Sequence, residues 1–186
     1  MAVPIRKIVD SSAALESKVH QPFPRPYPLT FHPGTIADVI WKPLRKLQDA
    51  RGWLCELFRT DDLPEEFHPV MGYLSVTEPG VVRGPHEHVD QADYFCFLGP
   101  ANFQIYLWDN RPGSPTYRMF QTDLVGAGKP MAVVVPLGVV HAYKNVGTEP
   151  GLVINCPNRL YKGPGRSEAI DEIRHEEDPD SPFQVE

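Results

Sequence analysis

The chain of 186 residues is long enough for one domain and short for two, with 18 basic and 24 acidic side chains and a net charge of −6. The imbalance is local: residues 166–186 hold eight carboxylates against Arg166 and Arg174, the whole of the −6, and the rest of the chain is balanced. A neutral body with an acidic end has no footprint for nucleic-acid phosphates, and no apolar run approaches the roughly 20 residues that span a bilayer.

Residues 1–35 read as an extended N-terminal arm, because QPFPRPYPLTFHPG (21–34) carries five prolines and cannot build a regular core element. The first residues, MAVPIRKIVDSS, have no apolar signal-peptide core, and Cys55, Cys96 and Cys156 form no CxxC motif. Both features predict a cytoplasmic protein with reduced thiols. The body, residues 36–165, is punctuated by prolines that break long helices. PLRKLQDA (43–50) is a helix candidate. Strands are predicted at 53–59, 70–78, 94–98, 103–108, 117–122, 131–135 and 152–156, each rich in aromatic or β-branched residues and separated by Pro-Gly turns. Seven or more short strands predict an all-β sandwich or barrel. The end, SEAIDEIRHEED (167–178), reads as a helix or an extended segment; the acidic stretch 166–186 is expected mainly to keep the protein soluble.

The chemistry concentrates in two segments. GVVRGPHEHVDQADYFCFLG (80–99) places His86 and His88 at i and i+2, the same face of a strand, with Asp93 shortly after. PLGVVHAYKN (136–145) supplies His141 behind a Pro-x-Gly turn. Lone histidines usually satisfy hydrogen bonds in a core. Three imidazoles and a carboxylate instead form an N/O set suited to a divalent metal such as Zn, Fe, Mn or Ni. The two segments resemble the two cupin motifs: Gly80, His86, His88, Asp93 and Gly99, then Pro136, Gly138, His141 and Asn145. The resemblance implies a double-stranded β-helix, or jelly-roll barrel, with His86, His88, Asp93 and His141 as metal ligands. Asp93 replaces the usual Glu, and Gln91 is the substitute ligand.

A narrower resemblance covers about residues 49–180. DARGW (49–53) with Glu56, GVVRGPH (80–86), DNRPGSPTY (109–117) and VPLGVVH (135–141) are similar, in order, to the dTDP-4-dehydrorhamnose 3,5-epimerase family of cupins. That resemblance implies epimerisation next to the C4 ketone of a nucleotide sugar, with His86 as the base. It places Arg51, Glu56 and Arg83 near the substrate, and implies homodimers that exchange N-terminal strands. Trp53 is the candidate for ring stacking; the plainer reading of Arg51 and Glu56 is a surface ion pair. The family's catalytic tyrosine falls at Ile154, which has no proton to give, so Tyr161 and Tyr143 are the alternatives. The family's dyad aspartate finds no counterpart. A divalent metal in place of the missing acid would connect these departures; since a ligating His86 is no free base, Tyr161, Glu87 or a metal-bound hydroxide would then remove the proton. The competing readings are a metal cupin of another class, an Fe oxygenase or small-molecule isomerase, and a non-catalytic sugar-binding cupin.

Overall fold

The computed structural model describes residues 29–186. Most of the expected arm therefore lies outside the described residues. Its end contributes a short strand, β1 (His32–Pro33), lying parallel to β9 (Met119–Gly126).

The body consists of two sheets packed face to face. The six-stranded sheet runs β1-β9-β8-β11-β6-β13, with β8 (Asn102–Asp109), β11 (Val139–Asn145), β6 (Val82–Glu87) and β13 (Ile173–Arg174). The five-stranded sheet runs β2-β10-β7-β12-β5, with β2 (Ile40–Pro43), β10 (Met131–Val135), β7 (Asp93–Gly99), β12 (Gly151–Asn155) and β5 (Tyr73–Thr77). A hairpin of β3 (Lys46–Asp49) and β4 (Gly52–Cys55) stands apart. This is the all-β jelly-roll barrel of the cupins.

Phe95, Phe97, Phe103, Ile105, Leu107, Val125, Val133 and Tyr143 fill the space between the sheets. Burying each such side chain stabilises the fold by about 1.5–3 kcal/mol. β7 does not alternate in polarity because both of its faces are covered. Phe95 and Phe97 point into the barrel, while Tyr94, Cys96 and Leu98 meet Leu44 and Leu63 outside it. The outer face of the six-stranded sheet, with Tyr106, Trp108, Val140 and Ala142, is covered by Phe183 of the acidic end.

There is no α-helix among the described residues: the helix reading of 43–50 fails, and 167–178 takes its extended alternative. Eight residues are too few for a helix to stabilise itself, so PLRKLQDA takes the pairing that β4 offers, Lys46 opposite Cys55. In 167–178, Ile173 and Arg174 pair with β6 and only a 3₁₀ turn, His175–Glu177, follows. The strand expected at 53–59 ends at Cys55.

DNRPGSPTY forms a structural knot. The fully buried Asp109 accepts hydrogen bonds from Arg111 Nε (2.9 Å), Ser114 Oγ (2.6 Å) and Thr116 Oγ1 (2.6 Å). Arg111 then reaches Asp38 and the Ala37 carbonyl, tying the incoming chain to the β8–β9 connection. Gly84 has a mechanical role at φ +88°: a Cβ there would sit 2.6 Å from the His141 carbonyl oxygen. Its absence lets β6 approach β11 where their register shifts between His141 and Tyr143.

Candidate active site in the barrel mouth

A cavity of about 350 Å³ opens between the sheets, lined by both histidine-bearing segments. Backbone pairing brings the two segments together. His141 on β11 lies opposite His86 on β6, and the Pro136–Gly138 turn donates the Gly138 N–H to the His88 carbonyl at 2.8 Å.

His88, Asp93 and His141, all buried, offer ligand atoms within 4.8 Å of one another. Each imidazole places Nε2 3.2 Å from the same oxygen, Asp93 Oδ2. Each commits its other nitrogen to a backbone carbonyl: His88 Nδ1 donates to Asp171, and His141 Nδ1 to Val139 at 3.1 Å. The far oxygen, Asp93 Oδ1, accepts from Gln91 Nε2 (2.9 Å) and Asn155 Nδ2 (2.8 Å). Gln91 thus supports Asp93 rather than substituting for it. Complete burial favours the neutral acid, but the two imidazoles prevail and hold Asp93 far below the usual carboxylate range. Burial likewise opposes charge on His88, yet the adjoining Asp93 pushes that ring up to about 9.

His86 lies outside this cluster. Its ring is turned toward the C-terminal segment, with Nε2 2.6 Å from Glu176 Oε1 and Nδ1 3.4 Å from Glu172 Oε1. Burial, aided by the charge of His141, lowers its pKa and favours the neutral base form. Asp171 and Glu172 of the acidic segment line the cavity, so that segment does more than keep the protein soluble. His175 is buried against Glu87 at 2.9 Å.

Of the two tyrosines singled out, Tyr143 lies on the cavity wall with its hydroxyl 3.2 Å from Ser75 Oγ. Burial raises its pKa and keeps the phenol protonated. Tyr161 sits at the rim, 51% exposed. Ile154, at the family's tyrosine position, packs against the outer cluster around Tyr94 and Cys96. A third cavity tyrosine escaped the sequence reading. Tyr73 on β5 accepts a hydrogen bond from Asn155 Nδ2 at 2.8 Å, and burial raises its pKa as well. The available signal was its place, two residues before Ser75 on an alternating strand.

The expected substrate groups divide. Arg83 lines the cavity, anchored through Nε to Thr77 Oγ1 (2.9 Å) and through Nη2 to the Val76 carbonyl (2.7 Å). Arg51, Trp53 and Glu56 do not line it. Arg51, its side chain 90% exposed, pairs with Asp49 at 2.5 Å; Glu56 lies 3.8 Å from Arg59; and Trp53 lies under Lys46. Within this chain Arg51 and Glu56 form surface ion pairs. The cations that do reach the cavity, besides Arg83, are Arg159, Lys162 and Arg174, which sequence reasoning passed over.

Comparison with known proteins places this geometry. The family model described as dTDP-4-dehydrorhamnose 3,5-epimerase matches residues 33–171. The chain belongs to that family. A probable low-salt glycan biosynthesis epimerase, Agl13 of Haloferax volcanii, is 40% identical over 128 residues, spanning 68% of this chain and 81% of that protein. The spore coat polysaccharide biosynthesis protein SpsL of Bacillus subtilis is 34% identical over 127 residues, 68% of this chain and 82% of that protein. The crystal structure of a dTDP sugar isomerase from Desulfovibrio desulfuricans superposes with a TM-score of 0.68 at 21% identity, covering 80% of this chain and 91% of that one. The family resemblance read from the motifs is thereby established, with its cupin fold and its sugar-nucleotide isomerase class.

Proposed function

We propose that this protein is an epimerase or isomerase of a 4-keto sugar nucleotide, acting by proton transfer at the carbon next to the carbonyl. The observation that carries the proposal is one cavity lined by His86, by Tyr143 and by the cations Arg83, Arg159, Lys162 and Arg174. His86 removes the C–H proton, and Tyr143 returns one to the enolate. Arg83, Arg159, Lys162 and Arg174 suit a diphosphate at the mouth. The test uses dTDP-4-dehydrorhamnose in D₂O, followed by mass spectrometry. The protein should introduce deuterium beside the ketone, and Tyr143→Phe should lower the rate by roughly a hundredfold. Tight binding without exchange by the wild type would favour a sugar-binding cupin instead.

A divalent cation at His88, Asp93 and His141 is the second part of the proposal. The donor set fits: both Nδ1 atoms are spent on carbonyls, so both Nε2 atoms face Asp93. Without a cation, each Nε2 needs a proton to approach that oxygen, leaving two buried imidazoliums on one carboxylate. One divalent ion of the Zn, Fe, Mn or Ni type replaces both protons. Such an ion, when bound, supplies Lewis acidity toward a carbonyl or enolate oxygen. Elemental analysis of purified protein should find one metal per chain, lost in His88→Ala. No stoichiometric metal, together with a fully active His88→Ala, would sink this part.

The protein is further proposed to be a cytoplasmic homodimer. Support comes from the unpaired cysteines and from exposed apolar side chains, Leu47, Trp53 and Leu54 on the hairpin and Leu74 and Val76 on edge strand β5.

A further inference from the structure

Removing a proton beside a ketone leaves the bonding pair in a new carbon–carbon double bond and pushes the carbonyl π pair onto the oxygen. A site that runs this step gains most from a hydrogen-bond donor already aimed at that oxygen. Several donors that line the cavity are spent. Arg83 commits Nε to Thr77 and Nη2 to the Val76 carbonyl, and Gln91 Nε2 donates to Asp93 Oδ1. The Tyr143 hydroxyl is shared with Ser75 Oγ. Tyr73 differs. Strand β5 alternates, so Tyr73 and Ser75 line the cavity while Leu74 and Val76 are exposed on the other face. The register partner of Tyr73 on β12 is Asn155, which is 1% exposed. Asn155 Oδ1 accepts from the Tyr94 N–H at 3.1 Å, and this fixes which way the amide points. One Nδ2 hydrogen then goes to Asp93 Oδ1 and the other to the Tyr73 oxygen, each at 2.8 Å.

The Tyr73 oxygen thus accepts, and its own O–H donates to no group among the described residues. A hydrogen bond received at a hydroxyl oxygen polarises the O–H and makes it a stronger donor. The placement also suits enolisation. The C–H bond that breaks lies roughly perpendicular to the plane that holds the C–O bond, so the base and the oxygen's donor must come from different sides. His86 stands on β6 of the six-stranded sheet and Tyr73 on β5 of the five-stranded sheet, and both line the cavity. We propose that Tyr73 is a further catalytic residue, donating its O–H to the C4 oxygen of the sugar as negative charge builds there, with Asn155 holding the phenol in place. His86 takes the carbon-bound proton, the C–H pair becomes the double bond, and the oxygen carries the charge under the Tyr73 hydrogen bond. The C=O bond re-forms when Tyr143 protonates the carbon. Tyr73 gives up no proton in this cycle. The assignment deepens the proposed function and rests on that proton transfer.

The test has two arms. The first reads binding alone, with the thymidine diphosphate esters of phenol and of hydroquinone. The hydroquinone ester carries a planar ring with an oxygen para to the diphosphate, where the enolate oxygen of the sugar lies; the phenyl ester lacks that oxygen. In calorimetry the wild type should bind the hydroquinone ester roughly tenfold more tightly. Tyr73→Phe should bind the two esters equally, and the phenyl ester as tightly as the wild type does. O-methyltyrosine installed at Tyr73, which keeps the oxygen that Asn155 holds and removes only its hydrogen, should also lose the preference. No preference in the wild type, or a preference kept in either variant, would overturn the inference. In the second arm, deuterium wash-in to dTDP-4-dehydrorhamnose should fall roughly a hundredfold in kcat for Tyr73→Phe, with KM nearly unchanged. A rise in KM at unchanged kcat would make Tyr73 an ordinary binding group and defeat its catalytic role. A wild type that leaves the sugar unlabelled defeats the proposed function and this role with it, whereas a wild type that labels the sugar with Tyr73→Phe keeping pace defeats this role alone.

Discussion

The β3–β4 hairpin and the barrel mouth look alike as sequence. Asp49-Ala50-Arg51-Gly52-Trp53 with Glu56 resembles the family, as do the pieces that carry His86 and His141, and both stretches carry charge and aromatic groups. The fold treats them oppositely. In the mouth, Asp93 is 2% exposed, and besides its near neighbours Gln91 and His88 each of its oxygens meets a side chain distant in sequence, Oδ2 that of His141 and Oδ1 that of Asn155. On the hairpin, Arg51 pairs with Asp49, two residues away, and Trp53 stands 51% exposed. A motif residue acquires a chemical environment from partners distant in sequence. Where its only partner is a near neighbour, it is free to serve another surface.

That contrast can be broken by substitution. The largest structural effect should come from Asp93→Ala, which leaves His88 and His141 facing each other without the shared carboxylate. Removing one partner of a buried pair costs about 3–5 kcal/mol, read as a fall in urea midpoint. On the hairpin, Trp53→Ala with Leu54→Ala should leave the melting temperature of the barrel nearly unchanged and convert the proposed homodimer to monomer in size-exclusion chromatography. An unaltered elution volume, or a monomeric wild type, would remove the hairpin from the interface. The smallest effect concerns the knot behind the site. Burial opposes charge on Asp109, but Arg111, Ser114 and Thr116 prevail and lower its pKa. A carboxyl group that is more acidic in the folded state contributes stability above its unfolded pKa of about 3.9, and loses it as pH falls through the folded value. Asp109→Asn should therefore lower the melting temperature at pH 7 and narrow its gap to the wild type at pH 3.

Much of the barrel was legible because its strands are short aromatic and β-branched runs. The predicted 131–135 is β10 to the residue, and 94–98 and 103–108 fall within β7 and β8. The hairpin strand at 46–49 was read as helix because Leu, Arg, Lys and Gln favour helices locally, and the competing β4 pairing is tertiary. The convergence of His88, Asp93 and His141 followed from motif spacing. The turning away of His86 did not, because its carboxylate Glu176 lies 90 residues along the chain. The burial of His175 was hidden for the same reason: it depends on Glu87, 88 residues earlier. Tyr73 was missed because its strand alternates like any half-buried edge strand, and the hydroxyl's partner, Asn155, is across the sheet.

The central claim is a division of labour in the mouth: His86 moves the proton, and the His88–Asp93–His141 set does not include it. The direct measurement is His86→Asn assayed together for metal content and for deuterium wash-in to dTDP-4-dehydrorhamnose. The account predicts one equivalent of divalent metal retained, with wash-in reduced by roughly a thousandfold. A variant that loses its metal while still exchanging deuterium would make His86 a ligand rather than the base, and would contradict the account.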